Sequence, residues 1–229
     1  MPDKKVITQI GSLPFNDIGE AVEYSLKHDI PFLPELTKRG DAMLEYIKHP
    51  GKLSCLAEFK KHKYSRVKIQ CVGPTTLILG GYQEDEAIQR IYQHLSAVIN
   101  GLEAKEIILF LDEPALGQVG FDYRKIWDAL FASFTVTPGI HTCGNMNWDE
   151  LFSSNIEIIS FDASKYDITK YPGYRSGKKI AWGVEKKEDV RDFKDGDLIT
   201  LPCGMGSPLY KPEDCEPKLQ QLKSIAECL

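Results

Sequence analysis

The sequence predicts an α/β domain in which eight parallel strands alternate with helices and close into a compact (β/α)8 TIM barrel. Three observations predict it. Short aliphatic or β-branched runs recur eight times along the chain. Several are almost continuously apolar, as in Ile107-Ile108-Leu109-Phe110-Leu111, which suits parallel strands buried on both faces. Between the runs lie stretches whose apolar residues follow the helical period.

The expected strands are Lys5–Ile10, Pro31–Glu35, Val67–Val72, Glu106–Leu111, Thr135–His141, Ile156–Phe161, Lys179–Val184 and Leu198–Pro202. The first helix is marked by Ile18, Ala21, Val22, Ser25 and Leu26 on one face, with Asp17 as N-cap and Glu20 three residues later. A long stripe from Ala87 to Ile99 predicts a helix over about 85–101. Tyr123–Phe134 and Pro212–Leu229 are further helices, and Lys187–Phe193 offers only a short charged one. An open doubly wound sheet would call for a glycine-rich turn after the first strand, and Ile10-Gly11-Ser12-Leu13-Pro14 is not one.

No linker, repeat or low-complexity segment divides the 229 residues, so a single domain over 1–229 is expected. The formal net charge of −5 argues against a nucleic-acid partner, and Lys60-Lys61-His62-Lys63 reads as a solvated face. No apolar run is long enough to span a bilayer, and MPDKKVITQI does not resemble a signal peptide. A cytoplasmic protein without a membrane partner is expected. Six scattered cysteines do not make a disulfide framework, which leaves core, metal-ligand or reactive roles for them.

In a parallel barrel, chemistry gathers at the carboxyl ends of the strands. Those ends carry Ser12, Glu35, Gly73-Pro74, Asp112-Glu113, His141 with Cys143, Asp162, Glu185 and Cys203. In an extended segment, His141-Thr142-Cys143 puts an imidazole and a thiol on one side. With Asp162 and Cys203 they form a donor set suited to zinc, the soft sulfurs disfavouring magnesium or calcium. The alternative is a satisfied histidine beside a buried cysteine; against it, Gly144-Asn145 and Pro202-Cys203-Gly204 read as loop rather than core. Asp112-Glu113-Pro114 reads equally as an ammonium-binding carboxylate or as a helix cap, and so does Glu35. Val72-Gly73-Pro74-Thr75-Thr76 lacks P-loop spacing and reads as a strand-to-helix turn with a threonine near the pocket. Cys55, Cys71, Cys215 and Cys228 have no partner motif and are expected to be structural.

Ile10-Gly11-Ser12, Gly73-Pro74-x-Thr76, Asp112-Glu113-Pro114, His141-x-Cys143 and Cys203-Gly204 occur in the order found in the C-terminal catalytic barrel of cobalamin-independent methionine synthase. The resemblance runs along nearly the whole chain. It implies a barrel of the methionine synthase and uroporphyrinogen decarboxylase type, with zinc on His141, Cys143 and Cys203. Asp162 stands where the family carries a glutamate ligand. Ile10, Gly11, Ser12, Glu35 and Asp112 resemble the groups that hold homocysteine. The family's acid histidine at the end of the seventh strand is missing; Glu185 follows that strand here and joins Asp112 as a candidate catalytic residue. The implied activity is methyl transfer to a thiol, with homocysteine as acceptor and methyltetrahydrofolate or a methylated corrinoid, free or protein-bound, as donor. Two rival readings are a metal-free decarboxylase-like barrel and a non-catalytic zinc-containing subunit that docks on a methyl-carrier protein.

Overall fold

The structure, a computed structural model, describes residues 5–118 and 122–229. The first four residues of MPDKKVITQI lie outside it. The chain runs through β1 (Val6–Ile7), β2 (Ser12–Leu13), α1 (Ile18–Leu26), β3 (Glu35–Leu36), α2 (Met43–Tyr46), α3 (Leu56–Phe59), β4 (Lys63–Val72), α4 (Pro74–Leu79) and α5 (Glu84–Ile99). There follow β5 (Glu103–Asp112), α6 (Arg124–Ala132), β6 (Thr137–Thr142), α7 (Trp148–Phe152), β7 (Ile158–Asp162), β8 (Lys179–Gly183), β9 (Leu198–Thr200) and α8 (Pro212–Glu227). Among the described residues no helix is long and apolar enough to cross a membrane.

Seven strands form one curled, wholly parallel sheet in the order β1-β9-β8-β7-β6-β5-β4, and β2 pairs with β3 apart from it. The sheet is open as a ladder, a half-barrel rather than the closed eight-stranded ring expected. The difference lies in the first two expected strands. Lys5–Ile10 is a ladder strand only at Val6–Ile7, and Pro31–Glu35 contributes only Glu35 to β3 plus a single bridge from Phe32 to Lys68. Pro31 and Pro34 carry no N–H, so this stretch cannot sustain a ladder. It still crosses the gap by backbone hydrogen bonds. Ile30 N donates to Ile7 O (3.1 Å) and Glu35 N to Gly11 O (2.8 Å) on one side. On the other, Leu33 N donates to Lys68 O (3.0 Å) and Lys68 N to Pro31 O (2.8 Å).

Elsewhere the expected runs become strands with shifted ends. β4 and β5 begin at Lys63 and Glu103, earlier than their apolar runs, because opposite charges meet across the register. Lys63 pairs with Glu103 at 2.8 Å and Arg66 with Glu106 at 2.9 Å. Asp17 caps α1 by accepting from Glu20 N at 2.9 Å. The expected Lys187–Phe193 helix is a single 3-10 turn, Lys187–Asp189.

Alternation along β5 decides what the concave face offers. Ile108, Phe110 and Asp112 share that face. Ile108 and Phe110 join Ile30, Ile158, Ala181 and Leu198 in an apolar cluster separate from the main core. Asp112 comes next at the carboxyl end, where the face turns polar. Apolar floor and polar mouth thus follow from strand register.

One packing contact outside the mouth carries a pH consequence. His94 of α5 is fully buried, stacks on Tyr46 at 4.7 Å, and accepts Gly51 N–H at Nδ1 (3.2 Å). Burial holds its pKa down at about 4, and a proton on Nδ1 would face that donor. Its contribution to stability is complete above the ordinary histidine value and is lost as pH falls towards 4. Across that window the wild type is expected to lose stability relative to His94→Gln, by up to about 1.4 kcal/mol per pH unit. Urea unfolding in a pH series checks this, and parallel curves for the two proteins would contradict it.

Candidate metal centre

β6 ends in His141 and Thr142, and the next residue, Cys143, starts the loop towards α7. The loop after β9 carries Cys203. One ligand atom from each of His141, Cys143 and Cys203 lies within 4.8 Å of the others. His141 is buried, Cys143 half-buried and Cys203 exposed, so the group sits at a rim rather than in the core.

Local packing fixes both arms. Met205 N donates to Ser12 O at 2.8 Å, which seats the loop after β9 on β2. A Cβ at Gly204 would fall 1.9 Å from Ser12 Oγ and 3.1 Å from Ser12 Cβ, so a larger residue there would have to displace Ser12. His141 Nδ1 lies 3.0 Å from Ser160 Oγ of β7. In the Nδ1–H tautomer this contact orients the ring and leaves the Nε2 lone pair free, and Nε2 is buried without a hydrogen-bond partner. Interaction between the two thiol side chains holds Cys143 down at about 7 and pushes Cys203 up to about 12.

An unpaired imidazole nitrogen beside two sulfurs, one of them readily ionised, fits a zinc-type ion with a fourth position open. Among the described residues these three form the one His/Cys/Asp/Glu group close enough to hold a metal. Asp162 is not brought into it. Its Oδ1 accepts from Ser164 N (3.1 Å) and Ser164 Oγ (2.5 Å), and its Oδ2 pairs with Lys165 (2.8 Å).

A cleft of about 290 Å³ joins the cluster to Ile10, Ser12, Glu35, Gln70 and Asp112. Glu35 and Asp112 are buried, each with one oxygen unpartnered, Oε1 and Oδ1 respectively. Burial raises both carboxyl pKa values; beside Glu35 the Asp112 charge adds to the rise, whereas His141 and Lys68 oppose it at Asp112. Gly11 lies beneath this floor, its N–H donating to Gln70 Oε1 at 2.6 Å.

The acidic pair after β5 divides. Asp112 opens on the cleft, while Glu113 is fully buried and answers the cap reading. Its Oε1 accepts from Thr75 N (3.0 Å) and Trp127 Nε1 (3.0 Å), and its Oε2 from Thr76 N (2.8 Å) and Thr76 Oγ1 (2.7 Å). That clamp starts α4 and explains Gly73, where a Cβ would fall 2.1 Å from the Glu113 carboxyl carbon. Thr75 and Thr76 therefore serve the turn, not the cleft. Glu185 is also away from the cleft: its carboxylate pairs with Lys218 of α8 at 2.6 Å.

Sequence reasoning missed Gln70, Lys68 and Ser160. The first two had a signal, since Lys68 and Gln70 alternate with Val67, Ile69 and Cys71 and so share one face of a buried strand. Of the cysteines expected to be structural, Cys55, Cys71 and Cys215 are buried and Cys228 is exposed.

No protein-family model matches the chain, and no curated protein matches it. The split of the acidic pair is directly testable. Glu113→Ala orphans four donors, two of them fully buried, and is expected to cost roughly 3–5 kcal/mol in unfolding free energy. Asp112→Asn, which removes a buried charge, should stay within about 1 kcal/mol of wild type. Denaturant titration of both variants measures it; equal losses would contradict the division of roles.

Proposed function

We propose that this chain is a zinc-dependent methyltransferase of the methionine synthase type, which methylates a thiol that also bears an ammonium group. On this reading homocysteine is the acceptor, and the curled sheet with its hydrogen-bonded segment 30–35 is a compact version of the eight-stranded barrel. The observation that carries the proposal is the meeting of His141, Cys143 and Cys203 at the rim of a cleft floored by Glu35 and Asp112.

His141, Cys143 and Cys203 would hold the zinc, which would supply the charge that keeps a substrate thiol deprotonated at neutral pH, where a free alkyl thiol is mostly protonated and poorly nucleophilic. The remaining work belongs to the chain. Asp112 and Glu35 hold the ammonium group, and Ile10 and Ser12 line the wall beside it. The cleft fixes the acceptor sulfur relative to the donor methyl, which removes much of the entropic cost of their encounter. A sulfur lone pair forms the new S–C bond as the bond between methyl and donor breaks, and the donor keeps that electron pair.

Glu185 is engaged by Lys218 and does not line the cleft, so this strand end offers no acid to a leaving nitrogen. A methylated corrinoid, whose leaving group departs without a proton, suits the cleft better than methyltetrahydrofolate.

Purified wild type is expected to hold about one zinc per chain and to methylate homocysteine from methylcobalamin. Cys203→Ser and His141→Ala should lose both zinc and turnover, whereas Asp162→Ala should keep its zinc. Metal analysis coupled to methyl-transfer assays with both donors tests these outcomes. A protein free of metal and inactive in methyl transfer would favour the decarboxylase-like reading, and turnover only with an added carrier protein would favour the docking-subunit reading. Zinc retained in full by Cys203→Ser would overturn the assignment.

A further inference from the structure

At the floor of the cleft, the methyl-transfer reading leaves two buried polar residues without a task. Gln70 lies on β4 with both ends of its amide engaged. Its Nε2 donates to Asp112 Oδ2 at 2.9 Å and to Glu35 Oε2 at 3.3 Å. Its Oε1 accepts from Gly11 N at 2.6 Å and from Lys68 Nζ at 2.7 Å. A flipped amide would set its oxygen against two carboxylates and its NH2 against two donors, so only one orientation is allowed.

Lys68 is fully buried, two residues before Gln70 on the same strand face, with its ammonium 4.8 Å from the centre of the Phe110 ring. Burial brings its pKa down to about 8, while Asp112 and Glu35 pull the other way. The four side chains make a closed unit. Two carboxylates and one ammonium leave one negative charge uncompensated when all are ionised. Two carboxylate oxygens, Glu35 Oε1 and Asp112 Oδ1, remain without partners. Burying such a deficit is costly unless a ligand completes it. One singly charged hydrogen-bond donor does so; a divalent cation would overshoot.

Resting on the proposed function, we infer that Gln70, steadied by Lys68, is a positioning residue that sets specificity for the acceptor's ammonium group by gathering Glu35 and Asp112 around a single monovalent cation. The amide donates to one oxygen of each carboxylate, which leaves the other oxygen of each for the ligand. Without it the two carboxylates repel, rotate apart and no longer share one site. Gln70 acts on the ammonium group through the two carboxylates it holds.

The test is calorimetric binding to the zinc-loaded protein, without turnover, of homocysteine and of the same thiol lacking its amino group. Gln70→Met removes the donors at similar volume. It is expected to weaken homocysteine about 10- to 100-fold and the des-amino thiol less than about threefold. Gln70→Asn keeps an amide but withdraws it by one methylene, and carries the test if the methionine variant does not fold. Its discrimination between the two thiols should fall in the same direction. Equal losses for both thiols, or no loss for either, would overturn the inference while leaving the metal-centred reading intact. Failure of wild type to bind either thiol would remove that reading and this inference with it.

Discussion

Curvature of the sheet is the constraint on which the site depends. His141 and Cys143 follow β6, Cys203 follows β9, and β7 and β8 lie between them. In a flat sheet three inter-strand steps would separate those ends by roughly 14 Å. Their ligand atoms instead lie within 4.8 Å of one another. The curl, together with the loop that Gly204 lets fold onto Ser12, converts a long sequence separation into bonding distance. Nothing in the His-x-Cys spacing alone would accomplish that.

The same curl encloses polar groups that would otherwise be solvated. Below the mouth the concave face is apolar, with Phe110 and its neighbours filling it. Lys68, Gln70, Glu35 and Asp112 therefore meet in a region with little water, where each must be answered by another. Most of their hydrogen-bonding capacity is satisfied internally. Along the cleft, unsatisfied capacity remains at Glu35 Oε1, Asp112 Oδ1 and, at the cluster, His141 Nε2. Native interiors rarely leave such atoms unpaired, and three of the nine among the described residues fall along this one cleft.

Much of this was legible in the sequence, for physical reasons that also explain the gaps. Buried parallel strands announce themselves as apolar runs, so β4 through β9 were found, with ends displaced where charged residues extend a ladder through cross-strand pairs. Pro31 and Pro34 were visible, yet an apolar run hid their effect on the ladder. His141, Cys143 and Cys203 were readable because loop residues flank them. Asp162 looked equivalent by position, but Ser164 and Lys165, two and three residues away, give its carboxylate nearer partners. The two carboxylates of Asp112-Glu113 were indistinguishable in sequence; only the turn before α4, remote in the chain, separates their roles. Gln70 escaped notice because a polar residue inside a strand has meaning only once its facing neighbours are known.

Zinc-edge X-ray absorption of the purified protein, before and after addition of homocysteine, reads the proposed metal shell itself. A first shell of two sulfurs at about 2.3 Å and a nitrogen at about 2.0 Å is expected, with further light-atom scattering from a ligand in the open position. Homocysteine should raise the sulfur count by one. A shell of nitrogen and oxygen alone, or a sulfur count that does not respond to the thiol, would contradict it.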